Sequence, residues 1–243
     1  MNKELPSPIL ITGAARSGTS MIAGIINMCG AFGGDMSGAT RNNKRGMFEN
    51  AKIRNTIVKP YLQQIGVDKM GQYPLPDVDN LLIPSNLKQR VEEVIKEQGY
   101  STGDWMYKGA KMCLTWPIWH YAFPYAKWVI VRRRTGDITK SCVKTGFMSA
   151  FNSQAKQKAV GATTEEEGWL WWTRQHEKRF VEMITEGLNC KVVWPHRMVN
   201  GDYQQVYETL DWLGLEWKSD VLNFVDPMLW HARNKQKQEI KTV

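Results

Sequence analysis

The stretch Gly13-Ala14-Ala15-Arg16-Ser17-Gly18-Thr19-Ser20 constrains this chain more than any other. It follows a short apolar run, Ile9-Leu10-Ile11, and opens into a helical pattern from Met21 to Met28. A strand that enters a glycine-bounded turn and leaves as a helix makes backbone N–H groups converge on one point, where the helix dipole adds its positive end. Gly13 and Gly18 permit the tight turn. Such a point holds a phosphate or a similar oxyanion. The plainer reading is a turn that holds nothing, and the flanking strand and helix weigh against it. The nucleoside-triphosphatase pattern G-x-x-x-x-G-K-[ST] places a lysine against the β- and γ-phosphates. Thr19 occupies that slot here, and the cation is Arg16, inside the turn.

Four apolar runs read as strands: Ile9–Thr12, Trp105–Tyr107, Trp128–Val131 and Val192–Trp194. They are continuous rather than alternating, as in a sheet buried on both faces. Helical patterns separate them, at Ser20–Met28, Ala51–Ile65, Asn86–Gln98, from Thr164 to about Glu186, and from Asp202 to Leu213-Gly214. Thr164-Glu165-Glu166-Glu167 reads as a capping box. Alternating strands and helices predict a three-layer α/β/α fold with a mostly parallel central sheet, in one domain over residues 1–243. The length suits one sizeable core. The segment from Gly66 to Pro84, with Pro74, Pro76 and Pro84, reads as a surface excursion or lid. The tail from Arg233 to Val243 is polar and basic, the composition of a mobile end.

Net charge is +8, so anionic partners are expected: a nucleotide, a nucleic acid or an acidic surface. An ordinary lysine-rich surface fits the same surplus. Cys29, Cys113, Cys142 and Cys190 are scattered without C-x-x-C spacing, which suits reduced thiols better than a zinc site or a disulfide framework. Pro6 and Pro8 interrupt the N-terminal apolar run, so the phosphate loop accounts for it better than a signal peptide does. No run is long and apolar enough to span a bilayer, and the expected location is cytoplasmic.

A second cationic site lies where Trp128-Val129-Ile130-Val131 runs into Arg132-Arg133-Arg134 and then Thr135-Gly136-Asp137-Ile138-Thr139-Lys140-Ser141. Cations at a strand's carboxyl end, followed by a helix start, sit at the edge where α/β sheets bind ligands. Taken with the first loop, this segment resembles the 3′-phosphate site of the sulfotransferases that use 3′-phosphoadenosine 5′-phosphosulfate (PAPS), written R-[ND]-P-x-D-x-x-x-S. Arg133, Asp137 and Ser141 fall on its Arg, Asp and Ser, while Arg134 and Thr135 depart from it. Arg132 is the alternative to Arg133 if the turn shifts. The first loop resembles the family's 5′-phosphosulfate loop. Gly46-Met47-Phe48-Glu49 is similar to the bacterial G-[YF]-F-E segment. Trp105–Lys111 with Phe123–Lys127 is similar to the K-D-P-R … F-P-x-A-K region, and Leu210–Leu215 to a late "fLGL" helix end.

The resemblance implies that Gly13, Ala14, Ala15, Arg16, Ser17, Gly18, Thr19 and Ser20 hold the 5′-phosphate, and that Arg133 and Ser141 hold the 3′-phosphate. It implies a sulfuryl transfer to a hydroxyl or amine acceptor, with adenosine 3′,5′-bisphosphate released and no metal needed. Arg16 first and Lys108 second are the candidate cations for the leaving oxygen. The histidine that some family members carry two residues after the lysine is Ala110 here, so Glu49 is the candidate base; a capping or surface glutamate is the plainer reading of it. His120 and His176, among aromatic residues, read as packed core histidines. The rival readings are a P-loop kinase using ATP–Mg²⁺, and a non-catalytic nucleotide or nucleic-acid binder. Thr19 in the lysine slot weighs against the first. Cations gathered at two strand ends rather than in one stripe weigh against the second. Acceptor choice is expected to rest on the loops Gly33–Arg45, Gly66–Pro84 and Phe147–Thr163, and the acceptor's identity and the oligomeric state are not legible.

Overall fold

A computed structural model describes residues 5–41 and 43–230. The expectation for the tail from Arg233 onward lies outside the described residues. In chain order the elements are β1 (Ile9–Thr12), α1 (Thr19–Met28), α2 (Ala51–Ile53), α3 (Lys59–Gln64), α4 (Leu87–Glu97), β2 (Met106–Lys108), α5 (Trp116–Ala122), β3 (Lys127–Val131), α6 (Thr135–Val143), α7 (Gln154–Ala159), α8 (Glu165–Thr185), β4 (Cys190–Val193), α9 (His196–Val199), α10 (Gln204–Leu213) and α11 (Val221–Phe224). A π-helical turn, Arg54–Val58, joins α2 to α3, so the predicted helix over 51–65 is one helix widened in its middle.

The four strands are all parallel, in the order β2-β1-β3-β4. Period-2 alternation divides their side chains between two cores. Leu10, Tyr107, Trp128 and Ile130 pack on one face with α3, α4, α5 and the end of α8. Ile9, Ile11, Met106, Val129, Val131 and Val193 pack on the other with α1, α10 and α11. The three-layer α/β/α fold is therefore as expected. Trp105, Trp119, Trp128, Trp169 and Trp172 are all fully buried, so five of the chain's eleven tryptophans are core. Each contributes on the order of 2–3 kcal/mol by burial.

A third cluster sits beside the glycine loop. Ala14 packs there with Ile138 and Cys142 of α6, Phe151, and Trp169 and Trp172 of α8. It fixes the loop's position relative to α6. The α8 cap works as the sequence predicts on one side: Thr164 Oγ1 accepts from Glu167 N at 3.2 Å. The return bond is shifted by one residue, because Glu167 Oε2 accepts from Thr163 N at 2.7 Å. The excursion over 66–84 is tied to the α8 side. Trp172 Nε1 donates to Gly71 O at 2.9 Å, and Gln72 Nε2 donates to Phe147 O at 2.7 Å.

Candidate active site

Because every strand is parallel, all four carboxyl ends open on one edge. There β1 gives way to the glycine loop, β2 ends at Lys108, and β3 ends at the arginine triplet. Gly13 is obligatory for space: a Cβ there would stand 2.4 Å from Val131 O. Gly18 takes the left-handed conformation at the α1 N-cap (φ 99°), and a Cβ there would press on Pro195 and Trp230 at 3.1 Å. Arg16 itself adopts φ 72°, a strained value for a non-glycine residue, of the kind that concentrates at ligand sites. The first turn of α1 carries no acidic residue, so its amide dipoles are unopposed.

A cavity of about 900 Å³ lies over this edge. From the loop it takes Arg16, Gly18, Thr19 and Ser20; from the β3–α6 turn and α6, Arg133, Arg134, Asp137, Lys140, Ser141 and Lys144. A third wall is the loop before α2, with Arg41, Asn43, Lys44, Arg45 and Gly46, and a fourth is the segment from Phe224 to Trp230. Eight of the lining side chains are Arg or Lys and two are Asp, so the cavity is strongly cationic. Gly13, Ala14, Ala15 and Ser17 do not line it; Ala14 and Ser17 lie buried beneath.

The two predicted phosphate sites meet. Arg16 Nε donates to Ser141 Oγ at 3.0 Å, and Arg133 Nη1 donates to Arg16 O at 2.9 Å. Residues over a hundred positions apart are thus in direct contact. Burial lowers the pKa of both guanidiniums from the usual arginine value. Arg133 Nε, on the cavity wall, and Ser17 Oγ, beneath it, are buried without a hydrogen-bond partner among the described residues. Adjacent residues at a strand end point to opposite sides, and that decides between Arg132 and Arg133. Arg132 turns away, pairs with Glu177 and lies over the Trp194 ring at 4.9 Å, while Arg133 lines the cavity.

Lys108 and Glu49 do not line the cavity. Both are buried, with 3% and 7% of their side chains exposed, and lie 3.9 Å apart. Lys108 Nζ donates to Met47 O at 3.2 Å, and Glu49 Oε2 also faces Arg54 at 3.7 Å. Burial pushes the Lys108 ammonium below the usual lysine pKa, and Glu49 opposes that shift. Glu49 is not a cap; the α2 cap is Asn50, whose side chain accepts from Ile53 N at 3.1 Å. His176 is core: fully buried, its Nδ1 lies 2.9 Å from Trp172 O, and burial pulls its pKa down to about 4.

Sequence reasoning missed two contributors. Trp230 lies against Gly18 and under the Arg133 guanidinium, 4.2 Å from ring centroid to carbon. Asn43 Nδ2 donates to Ser20 Oγ at 3.0 Å and so ties the loop before α2 to the first turn of α1. Neither carries a local pattern; only a long-range contact reveals them. Among the described residues no group of three or more His, Cys, Asp or Glu side chains is placed to hold a metal, and no helix is long and apolar enough to cross a membrane.

No protein-family model and no curated protein matches the sequence. Solved structures do resemble it. A sulfotransferase domain from the curacin biosynthetic pathway superposes with a TM-score of 0.56 at 13% identity, over 92% of this chain and 79% of that one. A sulfotransferase from Mycobacterium avium gives 0.55 at 11% identity, over 97% and 70%. The sulfotransferase domain of the Synechococcus PCC 7002 olefin synthase gives 0.54 at 12% identity, over 95% and 88%. The chain has the fold of sulfotransferase domains.

Proposed function

We propose that this protein is a PAPS-dependent sulfotransferase acting on a hydroxyl or amine acceptor. The observation that carries the reading is the direct contact of Arg16, Ser141 and Arg133, which joins the two phosphate motifs in one cationic cavity. A nucleotide with a single phosphate chain gives a second anion site no work; a 3′,5′-substituted nucleotide occupies both.

When bound, PAPS supplies an activated sulfuryl group. The loop amides of Gly18, Thr19 and Ser20 and the Thr19 hydroxyl hold the 5′-phosphate at the positive end of α1. Arg133 and Ser141 hold the 3′-phosphate. Arg16 contributes a fixed positive charge where the leaving oxygen gains negative charge, in a site that partly excludes water. Lys108 is the second candidate cation, and it would have to give up the Met47 carbonyl to act in the cavity. Glu49 is the candidate base for the acceptor proton, and its contacts with Lys108 and Arg54 equally suit an anchor that keeps Lys108 charged. A pH–rate profile of Glu49→Gln separates the two: a base loses the acidic limb with turnover down about 10²–10⁴-fold, and an anchor keeps the limb.

The test is incubation with ³⁵S-labelled PAPS and a mixed panel of hydroxyl and amine acceptors. Label moves to an acceptor with wild-type protein and does not with Arg16→Ala. Unchanged transfer by Arg16→Ala removes Arg16 from the mechanism, and transfer of a phosphoryl group from ATP–Mg²⁺ in its place establishes the kinase reading.

A further inference from the structure

The donor leaves one wall of the cavity unexplained. Of the three loops expected to select the acceptor, 33–45 alone contributes to the lining, and it contributes Arg41, Asn43, Lys44 and Arg45 without a carboxylate. This wall is held in place. Thr40 and Asn43 exchange backbone hydrogen bonds of 3.0 and 3.1 Å across a tight turn, and Asn43 pins that turn to Ser20. Arg45 is committed elsewhere, to Asp226 at 3.8 Å and Asn223 O at 3.4 Å. Arg41 and Lys44 are exposed and have no carboxylate within ion-pair distance among the described residues.

The charge balance then points to the acceptor. PAPS carries about four negative charges. Arg16 and Arg133 meet them with Lys140 on α6 and Lys144 at its C-cap, which flank Ser141 and so belong with the 3′-phosphate, while Arg134 and Asp137 cancel in the count. Arg41 and Lys44 are surplus to that set and sit on the wall nearest Ser20. Two cations on the wall of a cavity already rich in positive charge, with no carboxylate partner among the described residues, repel one another unless a second anion joins them.

We infer that the acceptor is anionic, with a carboxylate, sulfate or phosphate near its nucleophilic group that Arg41 and Lys44 hold. This rests on the sulfuryl-transfer reading. It disfavours simple phenols, neutral sugars and neutral alcohols as the physiological acceptor. Because both residues are exposed, the attraction weakens as salt rises.

The experiment uses the full chain saturated with adenosine 3′,5′-bisphosphate and titrates it with inorganic phosphate, D-glucuronate and D-glucose. The protein is either wild type or the double variant Arg41→Gln, Lys44→Gln. The expected result is that one of the anions binds and glucose does not. The double variant weakens that anion about tenfold or more and leaves bisphosphate affinity within about twofold of wild type. Preference for phosphate identifies a phosphate or sulfate ester as the recognised group, and preference for glucuronate identifies a carboxylate. Anion affinity unaltered in the variant, absence of anion binding, glucose binding as tightly as the anions, or a loss that falls on the bisphosphate each overturns the inference and leaves the donor site standing. Failure of the bisphosphate to bind wild-type protein at the saturation step overturns the donor reading itself, and the inference with it.

Discussion

Glu49→Gln isolates the buried pair at the end of β2. Glutamine keeps the volume and one oxygen and removes the charge. Lys108, only 3% exposed, is then left with the Met47 carbonyl and no carboxylate. Removing one member of a buried ion pair costs about 3–5 kcal/mol, and the retained amide oxygen places this case at the lower end, about 3 kcal/mol. That is a large share of the roughly 5–15 kcal/mol a domain has in hand, yet leaves it folded. Lys108→Met in the same chain removes the stranded charge, so the double variant recovers most of the loss. Arg54 does not cancel this recovery, because 20% of its side chain is exposed and its Nη1 also donates to Ser37 Oγ at 3.3 Å. The assay is urea unfolding at pH 7 followed by circular dichroism and tryptophan fluorescence, with coincident transitions and a constant slope as the two-state check. The expected coupling in the double-mutant cycle is at least about 1 kcal/mol. The pH dependence has a definite sign. Burial lowers the native Lys108 pKa below the ordinary 10.5, so between those values the unfolded chain holds the proton and the native one does not. Stability contributed by this group therefore rises with pH across that window. In Glu49→Gln the native pKa falls further and the rise begins at lower pH. A cost under about 0.5 kcal/mol, or additive single variants, would refute the reasoning.

Three further outcomes follow from the geometry. Gly13→Ala brings a Cβ to 2.4 Å from the Val131 carbonyl, a backbone atom that cannot step aside; it costs at least about 2 kcal/mol in thermal or urea unfolding, and a cost near zero contradicts the loop conformation. His176 is buried neutral with a pKa of about 4 against 6.5 unfolded, so the unfolded chain takes up its proton first as pH falls. Stability from this residue therefore drops by about 3 kcal/mol between pH 6.5 and pH 4. His176→Gln shows a correspondingly shallower fall in unfolding midpoint against pH, whereas parallel profiles count against a buried neutral imidazole. Ser141→Ala removes the acceptor of Arg16 Nε and, on the proposed reading, a ligand of the 3′-phosphate. Donor affinity measured by equilibrium dialysis falls about fivefold or more, and a wild-type value places the 3′-phosphate elsewhere.

Much of the architecture was legible because both its periodicities are local. Continuous apolar runs and the helical patterns between them identified all four strands and the parallel sheet, with β1 correct to the residue and the others shifted by one or two positions. Short helices escaped: α5 begins at Trp116-Pro117 and is mostly aromatic, and α7 is too short and polar to show a period. The π turn at Arg54–Val58 was hidden because it alters hydrogen bonding without altering the apolar stripe. In the site, loop spacing singled out Arg16 and the family resemblance singled out Arg133 and Ser141, and the structure brings the three together. The sequence did not show that Lys108 and Glu49 are buried behind the Met47 carbonyl, nor that Trp230 packs on Gly18, because those depend on where distant chain segments, such as those of Gly18 and Trp230, come to rest.

The most direct test of the two-phosphate cavity is calorimetric titration with adenosine 3′,5′-bisphosphate beside ADP and ATP–Mg²⁺ at equal salt, on wild type and Arg133→Ala. The account predicts tight binding of the 3′,5′-bisphosphate, much weaker binding of the other two, and loss of that preference in Arg133→Ala. Equal affinity for all three, or a preference for ATP–Mg²⁺, would contradict it.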